Sequence, residues 1–358
     1  MSLAVNTVKA PNMQAKKLYT TIGWLIMVFI VITVGVFAGR FSISVTDVLS
    51  AFQKLPSVLY GLIKNGTVTD ELNQAERVLI LIRFPRLLTA LLVGAGLAVS
   101  GAVYQGVFRN PLVSPDILGV ASGCMFGAAL GLLLPGSGWF MVQALAFIFG
   151  LSAATAAMLM AKRFGSNSLL LMIMTGIIVG SLFSAGLTMM KALADPYGEL
   201  PAIIFWLMGS MSTSSWSTVF QLSVPVLLGY GVIHSLRYRL NVLCLGDQQS
   251  QSLGIEPEKL RLILIIISSF IVASCVATVG QVAWIGLVVP HMVRTFTGAN
   301  NIKLVPLATI IGALFLLLAD SVARASLSIE IPIGIVTSLV GAPLFAFLLF
   351  RFRQGGHY

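Results

Sequence analysis

The chain has 358 residues, of which 57% are hydrophobic and only 9% are charged, and its formal net charge is +10. An ordinary soluble domain carries roughly 25% charged residues, so this composition excludes a water-soluble globular protein. No basic soluble domain is present that would bind nucleic acid. The sequence therefore predicts a protein embedded in a lipid membrane.

Transmembrane helices are predicted from the distances between charged residues, because a helix needs about 20 mainly apolar residues to cross the hydrocarbon core. One helix each is expected in the uncharged stretches within 17–40, 86–109, 163–191, 303–320 and 331–350. The stretch 116–162 is twice as long and contains the sequence Pro135-Gly136-Ser137-Gly138, which predicts two helices joined by a tight turn.

Two further stretches are interrupted. Residues 199–237 hold one span near 216–236, preceded by a shorter piece after Pro201. Residues 261–294 are too long for one helix and too short for two, which predicts a full span followed by a short dip broken by Gly286 and Pro290. The chain is therefore predicted to be one all-α domain, 1–358, with about ten transmembrane helices.

The first apolar run, Thr20 to Ala38, follows three lysines and so resembles a signal peptide. It is longer than a typical signal-peptide core and lacks a small-x-small cleavage site, so a retained first helix is expected. Of the 22 Lys and Arg residues, fourteen fall on the side that carries both termini, and six of the other eight lie in the loop 40–86. The positive-inside rule then predicts cytoplasmic termini, a cytoplasmic tail 1–19, an external loop 40–86 and a cytoplasmic segment 237–261.

The sequence also limits the source of energy for transport. It contains no Gly-Lys pair, so the P-loop pattern that cradles ATP phosphates is absent. His291 and Asp320 are the candidates for ion coupling, but Asp320 lies four residues before Arg324, which is the spacing of a helical ion pair. No metal site and no cofactor are expected. The three cysteines, Cys124, Cys244 and Cys275, are isolated from one another in the sequence and are expected to be small packing residues.

Two connecting segments are long enough to hold structure. Residues 42–52 predict an amphipathic helix with Ser44 or Thr46 as N-cap. In the segment 237–261, Gly246 and Gly254 bracket a short polar helix, which is either a solvated connector or a docking element for another protein.

An internal echo is present as well. Leu112-Val113-Ser114-Pro115 and Leu287-Val288-Val289-Pro290 each follow a Gly-rich helix. Transporters built from two related halves carry interrupted helices at matching positions, although Pro that simply caps apolar helices would give the same pattern.

Several motifs in order resemble the FecCD permeases, the membrane subunits of vitamin B12, haem and ferric-siderophore ABC importers. The resemblance covers about residues 80–350 and rests on Arg83-Phe84-Pro85-Arg86, Val93 to Gly101, Asn110-Pro111-Leu112, Pro115, Leu118-Gly119, Leu245-Gly246 to Leu253-Gly254, Gly286 to His291, Leu318 to Arg324, and Ile331 to Thr337 through Gly341-Ala342-Pro343.

The resemblance implies a BtuC-like type II ABC importer permease with two related halves of opposite orientation. It further implies a homodimer in the cytoplasmic (inner) membrane with a pathway along its axis, two cytoplasmic ABC ATPase subunits and an external or periplasmic substrate-binding protein. On this view the chain itself is not an enzyme.

Site residues are implied by the same resemblance. Arg83, Arg86 and Arg324 are expected to receive acidic residues of the binding protein, since the Arg fork suits carboxylates; snorkelling anchors at helix ends are the alternative. ATPase coupling is expected within the segment Gly246 to Gly254, where Ser250 replaces the usual Ala; the residues concerned are Gly246, Asp247, Gln248, Ser250, Leu253 and Gly254.

A cytoplasmic gate is implied at Ser166, Asn167 and Ser168, although any short loop has this composition. Methionines on the fifth helix, namely Met172, Met174, Met189 and Met190, are candidates for a soft pathway lining or for ordinary packing. The predicted function is ATP-driven import of an iron chelate by alternating access, with ferric siderophore first and haem, corrinoid or molybdate or tungstate open. A secondary transporter or channel that works without an ATPase is the alternative.

Overall fold

The computed structural model describes residues 13–66, 71–164, 169–327 and 329–354. These residues form thirteen helices and one 3-10 turn, Pro115–Leu118. The helices are α1 (Met13–Phe37), α2 (Val45–Asn65), α3 (Gln74–Val107), α4 (Val120–Leu133), α5 (Trp139–Arg163), α6 (Leu169–Leu193), α7 (Glu199–Leu207), α8 (Trp216–Cys244), α9 (Asp247–Ser252), α10 (Pro257–Val279), α11 (Ile285–Thr297), α12 (Asn301–Ala325) and α13 (Ile333–Gln354).

The all-α architecture is confirmed, but the predicted count of ten helices was too low. Ten of the thirteen helices correspond to the nine predicted spans and the predicted dip, which is α11. The predicted breaks at Gly286 and Pro290 were wrong, because both residues lie within α11 and the chain breaks before it, at 280–284. The other three, α2, α7 and α9, are connecting helices between them. The sequence predicted α2 and α9 as short helices and α7 as a shorter piece, but the charge-gap count of ten left them out because it counts only long apolar runs.

Seven of the described helices are long and apolar enough to cross a membrane: α3, α5, α6, α8, α10, α12 and the part of α13 up to Phe350. The segment Leu25–Phe37 of α1 and the helix α4 are shorter apolar helices. The predicted tight turn at 135–138 separates α4 from α5, as expected.

The centre of the molecule is α3, which packs against α8, α10, α11 and most extensively α12. Small residues allow these backbones to approach closely. A side chain on Gly94 would overlap the Gly312 carbonyl of α12, and one on Gly101 would overlap the Gly286 carbonyl of α11. Close backbone approach of this kind replaces the hydrophobic effect as the source of helix association in a bilayer.

Two ends of the bundle are distinguished by their connecting helices. The α2 end carries α2, the start of α3 and the end of α12, whereas the α9 end carries α9, the end of α3 and the start of α10. Residues Val78–Arg83 of α3 form a π-helical stretch at the α2 end. Ser44 is the N-cap of α2 and forms a capping box with Asp47, so the predicted start is confirmed, while the helix runs thirteen residues beyond Phe52.

Candidate functional site

A buried ion cluster joins distant parts of the chain at the α2 end. The Arg86 guanidinium lies 2.9 Å from one carboxylate oxygen of Asp320, and the other oxygen of that carboxylate lies 3.0 Å from Nε of Arg324. Arg86 also donates to both carboxylate oxygens of Glu330 at 3.0 Å. Asp320 is fully buried and both arginines are more than 90% buried, so the charges compensate one another in a low-dielectric setting.

The same cluster closes the end of α1. Arg83 donates to the carbonyls of Val36 and Phe41, each at 2.6 Å, and Arg324 donates to the carbonyl of Gly35 at 3.0 Å. These carbonyls belong to the last turn of α1 and the residues after it, where no helical N–H remains to bond them. The arginines therefore neutralise the C-terminal end of a membrane helix.

The three arginines predicted to dock a binding protein are thus buried and have partners within the chain. The helical ion pair predicted between Asp320 and Arg324 is present. Sequence reasoning missed Glu330, which is the most accessible member of the cluster, with 40% of its side chain exposed. The sequence feature that could have identified it is its position as an isolated acidic residue two residues before Pro332.

The two echoing motifs meet in the middle of the bundle. Gly286 of the second motif packs directly on Pro115 of the first, and the Gln105 side chain donates to the Leu287 carbonyl at 3.1 Å. Trp284 precedes α11 with a φ of 72°, an uncommon conformation for a bulky residue. A cavity of about 330 Å³ lies between the two breaks.

Asp116, which sequence reasoning did not single out, faces this cavity and also a groove of about 410 Å³ on the other side. Its carboxylate accepts the N–H of Ala121 at 2.8 Å and so caps the start of α4. The groove beyond it is lined by small residues of α4 and α6, among them Ser122, Gly180 and Ser184.

The predicted lining methionines of α6 do not share one environment. Met174 and Met189 are exposed, at 52% and 66%. Met172 belongs to the main core, and Met190 packs against the small cluster formed with α4 and α7. Any lining role therefore applies to the first two more readily than to the others.

A second ion cluster lies at the α9 end. The Asp247 carboxylate, at the start of α9, is paired with Arg109 after α3 and with Arg261 of α10, the latter at 3.0 Å. Partial burial raises the pKa of Asp247, but the hydrogen bonds and charges of Arg261 and Arg109 outweigh it and lower that pKa below the ordinary value. Neither arginine was predicted to belong to this site, because they lie 138 and 14 residues from Asp247 and reach it only through helix packing.

The short helix α9 presents one face to the bundle and the other to the surroundings. Ser250 is fully buried and its hydroxyl donates to the carbonyls of Val242 and Gly246. Leu245 and Leu253 flank the helix, and each is 61% exposed. Gly246 and Gly254 both have positive φ, at 123° and 78°, which lets the chain turn sharply at each end of the helix.

The predicted gate residues Ser166, Asn167 and Ser168 lie outside the described residues. Across residues 13–66, 71–164, 169–327 and 329–354, no group of three or more His, Cys, Asp or Glu side chains could hold a metal ion. Cys124 and Cys275 are buried packing residues, as expected; the former fills the space beside Gly150 of α5 and the latter the space beside Gly96 of α3.

The described residues form an all-helical bundle in which seven helices are long and apolar enough to cross a membrane, which is the architecture of a multi-pass membrane protein. The family model described as the FecCD transport family matches residues 25–351. The chain therefore belongs to the FecCD family, whose members are permease subunits of ABC transporters rather than catalytic enzymes.

Individual relatives agree on the class but differ in substrate. The molybdate import system permease protein MolB of Haemophilus influenzae is 39% identical, over 93% of this chain and 95% of its own length. A protein named probable iron chelatin transport system permease, from Helicobacter pylori, is 42% identical over 79% of this chain and 86% of its own. A solved structure described as an inward-facing conformation of a metal-chelate type ABC transporter has a TM-score of 0.80 and 37% identity, covering 92% of this chain and 98% of that one.

Proposed function

We propose that this chain is the membrane-spanning subunit of an importer that moves an iron chelate across the cytoplasmic membrane, with ATP hydrolysis on separate subunits. The observation that carries the proposal is α9, a short helix flanked by two exposed leucines and joined by salt bridges to α10 and to the residue Arg109 that follows α3, in a chain with no P-loop. Exposed apolar residues on a polar helix at the end of a bundle suit a partner protein. The charge distribution supports cytoplasmic termini, so that α9 faces the cytoplasm.

Coupling works, on this proposal, through the contact between α9 and the ATPase. Movement of α9 pulls on Asp247, and the two arginines carry it to α3 and to α10. Both helices adjoin the breaks at Pro115 and Trp284, so the signal reaches the centre of the bundle. Alternating access would follow from a change in the packing of these breaks.

The coupling proposal is tested with a pair of matched leucine variants. Leu253→Asp at α9 should abolish co-purification with the ATPase, because it places a carboxylate in an apolar contact. Leu327→Asp, at the α2 end and with the same exposed fraction of 61%, should leave co-purification unchanged. Equal retention of the ATPase by both variants would remove the coupling role of α9.

The pathway is proposed to lie between two copies of the chain. Exposed apolar residues on α6, such as Leu182, and on α13, such as Leu339, provide a face for a second copy. The groove beside Ser181 and Ser184 would then face the dimer axis, with Met174 and Met189 at its edge. Cysteines at Leu182 and Leu339 that crosslink between copies would support this face, and their failure in active dimers would remove it.

The external binding protein is proposed to dock at the α2 end through its acidic residues. Glu330 shields Arg86 from that side, so an incoming carboxylate would replace Glu330 as the partner of Arg86. Glu330→Gln should therefore tighten docking by removing the competing charge, whereas an unchanged affinity would exclude the exchange. Charge reversal at Arg83 or Arg86 is a poor test, because both residues hold the fold together.

The substrate is proposed to be an iron chelate, with ferric siderophore as the first candidate, on the strength of the iron chelatin relative and the metal-chelate structure. Molybdate is the second candidate, because the relative named for it matches nearly the whole chain. Proteoliposomes that contain the permease, its ATPase and its binding protein should take up ⁵⁵Fe-siderophore only when ATP is present on the side of the membrane that carries the ATPase. Uptake of ⁹⁹Mo-molybdate instead would replace the substrate assignment and keep the importer class.

The rival function is a secondary transporter or channel. It predicts transport by the purified chain alone in liposomes with an ion gradient. Strict dependence on both the ATPase and the binding protein would exclude it, and ATP-independent transport would overturn the importer proposal.

A further inference from the structure

The helix α2 carries more apolar surface than the protein covers. Ala51 and Val58 are fully buried against the bundle, and Val48, Leu55 and Leu62 are partly buried against the same core. A second row of apolar residues on α2 is exposed, although one member, Phe52, also contacts Phe84 of this core. This row, which we term the α2 stripe, consists of Val45, Leu49, Phe52, Pro56, Tyr60 and Ile63.

The α2 stripe is a narrow, continuous line on the helix. Its spacings of four, three, four, four and three residues confine it to an arc of about 80° at 3.6 residues per turn. Its members are mostly exposed, from 54% at Phe52 to 72% at Ile63. It adjoins the buried face on one side, so that α2 is apolar around roughly half of its circumference.

The remaining arc of α2 is polar, as expected of a surface that faces water. It presents Thr46, Gln53, Ser57 and Lys64 to the surroundings, and Lys54 reaches back to Glu76 at the start of α3 at 2.8 Å. The helix therefore has three distinct surfaces, which fit protein, water and a third, apolar medium. A helix suspended in water would have only the first two.

The position of α2 identifies that third medium as lipid. The 34 residues of α3 span about 51 Å, whereas the hydrocarbon core is about 30 Å thick, so α3 extends beyond the membrane. The helix α2 packs on the first ten residues of α3, and the Phe52 ring lies 5.0 Å from that of Phe84 where the π stretch ends. The stripe thus lies where α3 leaves the bilayer.

Neighbouring surfaces continue the apolar character. Only seven residues separate α2 from α1, whose residues Phe29, Val34 and Phe37 are exposed to the surroundings of the bundle. Pro56 lies within the stripe and removes the helical donor for the Phe52 carbonyl, which requires nearby water. An interfacial depth satisfies both conditions, while the hydrocarbon centre does not.

We propose that α2 lies in the membrane interface at the α2 end, with the α2 stripe inserted among the lipid chains and the polar arc facing water. Tyr60 and Lys64, whose ammonium lies 5.4 Å from the Tyr60 ring, sit at the headgroup level. In this position α2 fixes the depth of the ion cluster through Glu76 and α3. The partner surface is lipid rather than a second copy of the chain or a binding protein.

Site-directed spin labels on the full chain in lipid nanodiscs test the proposal. Labels at Val45 and Ile63 sample the stripe, and their immediate neighbours Thr46 and Lys64 sample the polar arc as matched controls. Cys244→Ser removes the one partly accessible native cysteine. The ratio of oxygen to nickel-chelate accessibility should be at least about threefold higher at the two stripe positions than at their neighbours.

Three results would overturn the proposal. Equal nickel-chelate accessibility at stripe and control positions would mean that the stripe faces water. Protection of the stripe from both reagents, with dipolar broadening between labels, would assign it to a second copy. Protection from both reagents only after addition of the binding protein, with nickel-chelate access beforehand, would make it a docking surface. If labelling at Val45 impairs folding, Leu49 with Gln53 provides a second pair.

Discussion

The ion clusters at the two ends of the bundle are built from the same chemistry but differ in setting. At the α2 end, Asp320 has 1% of its side chain exposed and lies between Arg86 and Arg324. At the α9 end, Asp247 lies between Arg109 and Arg261 with 49% of its side chain exposed. A carboxylate flanked by two arginines thus occurs once fully buried, at Asp320, and once half exposed, at Asp247.

This difference in burial suggests different roles: the cluster at the α2 end holds its helices in fixed positions, and the cluster at the α9 end allows movement. Breaking the buried cluster leaves uncompensated charge in a low dielectric, so α1, α3 and α12 stay fixed relative to one another. Asp247 and Arg109 are both partly exposed, so water can replace that pair at little cost and α9 can shift against the end of α3. Arg261 is only 2% exposed, so its salt bridge keeps α9 attached to α10. A rigid end and an adjustable end suit a transporter driven from one side.

The largest effect is expected from Asp320→Ala. This substitution leaves Arg86 and Arg324 buried without their shared counter-charge and should lower the free energy of unfolding by about 3 to 5 kcal/mol. Thermal unfolding in detergent, or loss of folded yield, measures it. Glu330→Gln is the control, with an expected cost below about 1 kcal/mol because its side chain is 40% exposed. An equal loss of free energy of unfolding in the two variants would contradict the view that the buried cluster around Asp320 holds the helices together.

A smaller loss is expected from Gly101→Ala, which tests the packing between the two ends. The added methyl group would overlap the Gly286 backbone, so α3 and α11 must separate at a cost of about 1 to 3 kcal/mol. Gly23→Ala, with no atom within 4 Å of the added carbon, is the control and should be neutral or slightly stabilising. Thermal unfolding again measures both, and a neutral Gly101→Ala would show that the helices separate freely.

At the adjustable end, Asp247→Asn should cost about 1 to 2 kcal/mol of stability, because Asp247 is half exposed but its partner Arg261 is only 2% exposed and loses its counter-charge. Its main effect should be on coupling, measured as ATPase stimulation by the loaded binding protein. Full stimulation with normal stability would show that the salt bridges are not needed.

The lowered pKa of Asp247 determines how the stabilisation by its salt bridges depends on pH. A depressed pKa means that the stabilisation is complete above the unfolded value of 3.8 and is lost as the pH falls through the lower, folded value. The difference in unfolding temperature between the wild-type chain and Asp247→Asn should therefore be constant from pH 7 to about 5 and shrink only below about 4. A difference that disappears near pH 6 would contradict the assignment.

The smallest effect is expected from Ser250→Ala. It removes hydrogen bonds to the carbonyls of Val242 and Gly246 while keeping the volume of the side chain, so the cost should be within about 1 kcal/mol and coupling should persist. Ser252→Ala, exposed on the same helix, is the control and should have no effect on either. Loss of coupling in Ser250→Ala alone would show that the position of α9, which this buried hydroxyl holds, is needed for coupling.

Much of the fold was predictable because a membrane span has a fixed minimum length and tolerates few charges. The tight turn at 135–138, the dip at α11, the Ser44 cap and the pair between Asp320 and Arg324 all depend on residues close in sequence, and each is present. The connecting helices α2, α7 and α9 were not counted as separate helices, because half-polar or very short segments do not stand out in a charge-gap pattern.

The sites were predicted less completely, for a related reason. The short helix at Gly246 to Gly254 was visible from its glycines, whereas Arg109 and Arg261 reach it only through the packing of α3 and α10. The arginines Arg83, Arg86 and Arg324 were identified by motif, but their burial under the end of α1 and beside Glu330 was not.

The amino-acid sequence by itself determined that this protein is an all-α, multi-pass membrane protein, because the length of apolar runs and the spacing of charges are local properties. Only the tertiary structure decided which charges are buried together, which half of the apolar arc of α2 stays uncovered and how the two broken motifs meet. Those outcomes depend on contacts between residues up to about 290 positions apart, such as Arg324 with Gly35, and helix packing alone brings them together.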